Sequence, residues 1–126
     1  MGAIDAKVSD LLGKTLVEVT QQGDDVLFFA TDCGKEYRMY HYQNCCEDVY
    51  INDICGDLSD LIGHPLLMAE EVISEEEPPE RFSDCSYTWT FYKFATIKGD
   101  VTIRWFGSSN GYYSESVDFE LLEESQ

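Results

Sequence analysis

The stretch His41-Tyr-Gln-Asn-Cys-Cys-Glu-Asp-Val-Tyr-Ile51 gathers one imidazole, two adjacent thiols and two carboxylates. Two kinds of chemistry use such a set. A metal would draw on His41, Cys45 and Cys46 with Glu47 or Asp48. Adjacent cysteines fit poorly around one tetrahedral ion, however, and no Cys-x-x-Cys pair elsewhere completes a ligand set. A thiolate nucleophile would take Cys45 or Cys46 with His41 as its base. That chemistry needs a third, orienting group, and no recognisable nucleophile signature surrounds these residues. A negative field also opposes the thiolate, raising the cost of the anion. The expectation is a protein with no catalytic residue, no metal and no cofactor.

A second polar stretch lies near the C-terminal end, Gly107-Ser-Ser-Asn-Gly-Tyr-Tyr-Ser-Glu-Ser-Val117. It is not a phosphate loop, because no lysine and no helix follow Gly111. When the hairpin glycines Gly34 and Gly99 are aligned, and then the Glu-x-Val steps, Cys46-Glu47 falls against Ser114-Glu115. The expected binding site, for a ligand or a partner, therefore joins both stretches. It comprises His41, Gln43, Asn44, Cys45, Cys46 and Glu47 with Ser109, Asn110, Tyr112, Tyr113, Ser114 and Glu115. Loops on a rigid scaffold are where such residues usually sit.

The elements that would hold these loops read as two similar units. Ile4, Val8, Leu11 and Leu12 form a helical stripe stopped by Gly13, and Ile54, Leu58, Leu61 and Ile62 form another stopped by Gly63. Ser9-Asp-Leu-Leu-Gly13 is nearly repeated as Ser59-Asp-Leu-Ile-Gly63. Strands are expected after each glycine, at Leu16–Val19 and Leu66–Val72. Hairpins follow, Val26–Thr31 with Glu36–His41 across Cys33-Gly34, and Tyr87–Ile97 with Val101–Phe106 across Lys98-Gly99. Strands starting at Glu47 and Glu115 close each unit. The pattern predicts an α+β fold: one sheet-rich antiparallel domain with two short helices over residues 1–126. It also predicts a pseudo-two-fold duplication of a helix plus four-strand unit, about 3–53 and 54–122. The acidic Pro-Pro segment 74–84 reads as a surface loop inserted into the second unit, and the tail from Glu123 as fraying. His64, between Gly63 and Pro65, reads as structural.

Composition narrows the classes of partner. The 126 residues carry a net charge of −17, with 12 acidic residues in the first half and 13 in the second, so the charge is not a tail. Such a field repels nucleic acid and anionic membranes and speeds encounter with basic surfaces. The run Tyr87-Thr-Trp-Thr-Phe-Tyr92 is accordingly read as core and sheet surface rather than as a base-stacking platform. No apolar run is long enough for a membrane span, and Met1-Gly-Ala-Ile-Asp5 lacks the start of a secretion signal. The expected location is the cytosol, where five cysteines are thiols. Oligomeric state is not readable.

Four stretches taken together carry a family resemblance: Tyr40-His-Tyr-Gln-Asn-Cys-Cys-Glu47, Asp53-Ile-Cys-Gly-Asp-Leu-Ser-Asp-Leu-Ile-Gly63, Thr88-Trp-Thr-Phe-Tyr-Lys93 and Ile103-Arg-Trp-Phe-Gly-Ser-Ser-Asn-Gly-Tyr-Tyr-Ser-Glu-Ser-Val117. In these the chain resembles a small acidic family of phage and bacterial proteins of unknown function. The resemblance implies a viral or mobile-element origin and a host-cytosol setting, with no activity to transfer. Two functions follow as expectations. The first is a non-catalytic phage accessory protein, a counter-defence inhibitor that occupies a basic, nucleic-acid-binding site on a host protein. The second is a small-ligand protein that binds or sequesters a nucleotide-like signal, with a thiol- or metal-dependent hydrolase as its weaker variant. There Tyr112 and Tyr113 would stack while Gln43, Asn44 and Ser114 bond the ligand.

Overall fold

The computed structural model describes residues 3–43, 47–74, 86–109 and 115–122. Within them run nine strands: β1 (Ala3–Asp5), β2 (Leu16–Gln22), β3 (Val26–Thr31), β4 (Glu36–Tyr40), β5 (Asp48–Cys55), β6 (Met68–Ser74), β7 (Ser86–Thr96), β8 (Gly99–Ser109) and β9 (Asp118–Leu122). They form two antiparallel sheets, a first in the order β1-β9-β4-β3-β2 and a second in the order β5-β8-β7-β6. Alternation in the sequence explains which faces meet. Leu27, Phe29, Tyr37 and Met39 are buried from the first sheet, and Tyr92, Phe94, Val101, Ile103 and Trp105 from the second. Phe29 and Phe94 meet with ring centroids 5.6 Å apart, and the Trp105 Nε1–H points at Met39 Sδ at 3.2 Å. The core is thus the space between two sheets.

The expected α+β class with two short helices is overturned. Only two four-residue 3-10 helices occur among the described residues, Val8–Leu11 and Leu58–Leu61. Ile4 belongs to β1 and Ile54 to β5, so each stripe was part strand. What remains between strand and glycine is too short to offset the cost of nucleating an α-helix. A three-residue period serves instead: Val8 and Leu11 are buried together while Leu12 is 55% exposed.

The two four-strand units share their sheets. Each half keeps its meander, β2-β3-β4 or β6-β7-β8, but sends its last strand across. β5 pairs with β8 in the second sheet, and β9 pairs with β4 in the first. The halves are also tied at the two glycines. Gly13 (φ 83°) and Gly63 (φ 90°) adopt the left-handed backbone that L side chains resist. The Gly13 N–H then donates to the Leu66 carbonyl and the Gly63 N–H to the Leu16 carbonyl, both at 2.8 Å, with Thr15 bridged to Pro65 between them.

The second hairpin also differs from expectation. Its register closes at Thr96–Gly99, so Ile97-Lys98 is the loop, and no positive φ falls at Gly99. A Cβ at Gly99 would sit 3.0 Å from Asp60 Oδ2, the end of a flexible side chain that need give only a few tenths of an ångström.

Candidate functional site

The chain leaves the first sheet after Tyr40 and enters the second at Asp48; it leaves the second after Ser109 and re-enters the first at Asp118. Tyr40 pairs with Asp118, and Asp48 with Ser108, so both crossings occur at one end of the molecule. The two candidate stretches are joined there by a direct bond: His41 Nδ1 lies 2.7 Å from the Ser116 carbonyl oxygen. The Tyr42 N–H adds a second tie, donating to Asp118 Oδ2 at 2.9 Å.

Each stretch delivers one carboxylate into the interior. Glu47 is 1% exposed and Glu115 is 8% exposed. Glu47 Oε2 sits 2.7 Å from His41 Nε2, and the Gln43 amide donates to the Glu47 carbonyl at 2.5 Å. Glu115 accepts from the Thr88 hydroxyl at 2.8 Å and from the Ser109 hydroxyl at 2.5 Å. In both pockets the donor lies six residues before its carboxylate, His41 to Glu47 and Ser109 to Glu115. Gly107 makes the second pocket possible, since a Cβ there would approach the Glu115 carbonyl oxygen to 2.7 Å.

The proton arrangement around His41 follows from its partners. A carbonyl oxygen only accepts, so Nδ1 carries the proton toward Ser116. A further proton lies between Nε2 and Glu47, on the ring as an imidazolium or on the carboxyl as an acid. Either form satisfies a carboxylate that would be costly to bury unpaired. Both ring nitrogens are occupied, and the side chain is only 3% exposed. In this arrangement His41 has no lone pair to offer a substrate or a metal ion.

Beside this cluster Glu120 pairs with Arg38 and accepts from the Tyr40 hydroxyl at 3.3 Å, with the guanidinium 4.0 Å above the Tyr40 ring. Burial, and then the Glu120 charge, holds the Tyr40 phenol above its usual range. Two exposed thiols lie at the far ends of the strands that flank the site, Cys33 before β4 and Cys55 at the end of β5. A hydrogen bond with the Thr31 hydroxyl holds Cys33 below the ordinary thiol range, and the Asp53 carboxylate pushes Cys55 above it.

Of the expected site residues, His41, Gln43, Glu47, Ser109 and Glu115 are described, and the structure places them around these two pockets. Asn44, Cys45, Cys46, Asn110, Tyr112, Tyr113 and Ser114 lie outside the described residues, and with them the thiol and metal readings. The acidic segment after Ser74 also lies outside. His64 sits at the junction of the halves, between Gly63 and Pro65. Sequence reasoning missed Thr88 and the Ser116 carbonyl. The six-residue spacing shared by the two stretches could have signalled the pockets, but the crossing that brings Ser116 to His41 leaves no local trace. A cavity of about 540 Å³ opens elsewhere, between Lys7–Ser9, Ala69–Glu71, Val117 and Phe119, and holds none of the expected residues.

Residues 9–119 match the family described as a domain of unknown function, DUF7448. The chain belongs to this family. The match runs from the first 3-10 helix into β9, so it covers β2 to β8, both crossings and both buried carboxylates, while β1 and most of β9 lie outside it. No curated protein and no solved structure matches the chain. Among the described residues, no helix of this DUF7448 domain is long and apolar enough to cross a membrane.

Proposed function

We propose that this DUF7448 protein is a non-catalytic acidic binding protein of a phage. In the host cytosol it occupies a basic, nucleic-acid-binding surface of a host protein and so blocks that protein's defence role. The net charge of −17 carries this reading. Exposed carboxylates are spread over both sheets, at Glu18 and Glu36 in the first and at Asp48, Asp53 and Glu70 in the second. A field of that strength accelerates association with a basic surface, and carboxylates stand in for phosphates there. The occupied His41 nitrogens support the non-catalytic part, since a general base needs a free one.

The test is capture of nucleic-acid-binding host proteins at low and high ionic strength, with duplex DNA as competitor. A true target is released both by salt and by DNA, and its affinity drops when Glu18, Asp48 and Glu70 are changed to Gln. Affinity that ignores ionic strength would sink the reading. Glu47 and Glu115 are poor choices for this test, because their carboxylates face the interior. Stabilisation by a nucleotide in a thermal-shift screen would instead favour the small-ligand alternative.

A further inference from the structure

The outer face of the second sheet carries aromatic side chains that the core does not use. One cross-strand row runs Tyr50–Phe106–Trp89, and the next runs Asp48–Ser108–Tyr87. Phe106 is the hub: its ring centroid lies 4.7 Å from that of Trp89, 5.2 Å from Tyr87 and 5.8 Å from Tyr50. These rings are half-buried and mutually tilted, between 42° and 59°, so they form a trough rather than a flat platform. With Asn52 and Ser108 they enclose about 280 Å³, room for one long side chain. An apolar concavity on an outward sheet face offers a place for a partner's side chain.

Charge selects that occupant. Aromatic faces are electron-rich and attract cations. The protein already uses this on the same surface: the Arg104 guanidinium lies 5.1 Å from the Trp89 ring while donating to Asn52 Oδ1 at 2.9 and 2.5 Å. Arg104 stands in register with Asp53, which leaves the other end of the trough to Asp48, exposed in the row of Ser108 and Tyr87. That end joins π faces to a carboxylate within a molecule of net charge −17. Phosphate-bearing ligands are repelled by the same field.

We infer that this trough is the contact point of the acidic surface: it takes an arginine or lysine side chain of the basic partner between Tyr50, Tyr87 and Phe106, against Asp48. The inference rests on the reading of the protein as a ligand for a basic partner, and it names where that partner is gripped. Long-range charge brings the partner in, and the trough holds one cation.

A short arginine peptide and its citrulline counterpart, equal in shape but uncharged, provide the probe. Trp105 is 1% exposed, so a change in tryptophan emission reports on Trp89. The arginine peptide is expected to shift that emission and the ring proton signals of Tyr50 and Tyr87; the citrulline peptide is not. Ser108→Lys puts a competing cation in the trough and should weaken arginine-peptide binding about tenfold. Asp5→Asn makes the same unit change in charge on the other sheet and should weaken it far less. Tyr50→Thr, on the edge strand β5, removes one wall and is the second variant should Ser108→Lys disturb folding. Equal binding by wild type, Ser108→Lys and Tyr50→Thr would overturn the trough and leave the acidic-surface reading standing. No binding of the arginine peptide at either ionic strength would overturn both. An emission shift with a neutral oligosaccharide but not with the arginine peptide would assign the trough to a glycan and overturn the inference.

Discussion

Glu47 and Glu115 occupy matching places, each buried at the end of a crossing connection and each bonded to a side chain six residues earlier. Their partners differ in kind. Glu115 is held by two hydroxyls, neutral rotors that can turn to another acceptor. Glu47 is held by a ring whose protonation must match its own. One pocket is therefore a matter of space, with Gly107 pressed against it, and the other a matter of where a proton sits. The same position in the two halves has been filled by different physics.

The largest test of this contrast is deletion of each carboxyl. Glu47→Ala leaves a buried imidazole with an unmet Nε2 and should cost about 3–5 kcal/mol in urea unfolding. Glu115→Ala leaves two adaptable hydroxyls and should cost about 1–3 kcal/mol. Equal losses would break the contrast. Next is Gly107→Ala, whose Cβ collides with the Glu115 backbone and should cost about 1–3 kcal/mol. Its effect should fail to add to that of Glu115→Ala, as a double-mutant cycle would show.

A conservative change sharpens the other side. Glu47→Gln keeps the shape and can donate its amide N–H to Nε2, so it should recover most of the stability that Glu47→Ala loses, measured by urea unfolding. The smallest expected effect lies at the 3-10 helices, where the halves differ again. Asp57 caps the second through the Ser59 N–H and hydroxyl, whereas at the first Asp10 reaches back to the Lys7 N–H. Those Ser59 bonds hold the Asp57 carboxyl below its usual range. A carboxyl depressed in the folded state contributes stability above its unfolded value and loses it as pH falls through the folded value. Asp57→Ala should thus lower the melting temperature slightly at neutral pH, with the gap to wild type closing in strong acid.

Much of the strand layout was legible because period-two alternation is local: Val26–Thr31 emerged with the limits expected, and Tyr87–Ile97 within one residue of β7. The 3-10 helices are not legible because Val8 and Leu11 fit a three-residue period as well as a helical stripe, and only the closeness of β1 and Gly13 decides between them. The crossing of β5 and β9 was not legible at all, since an alternating strand fits the edge of either sheet. At the site, His41, Glu47, Ser109 and Glu115 could be picked out by residue type and spacing. That Glu47 and Glu115 turn inward could not, because an acidic residue before a strand ordinarily faces water. The composition of the aromatic run fits core and surface together; the register separates buried Tyr92 from half-buried Tyr87 and Trp89.

The exchange of final strands also sets a timetable for assembly. Arg38 in β4 meets Glu120 in β9, a partner 82 positions further along the chain. Until β9 has been synthesised, β4 presents an open row of backbone donors and acceptors that any extended segment can complete. The first meander can form early but waits for its neighbour, whereas the second meets β5 already made. A second newborn molecule that supplies its own β9 during that interval would produce an intertwined pair.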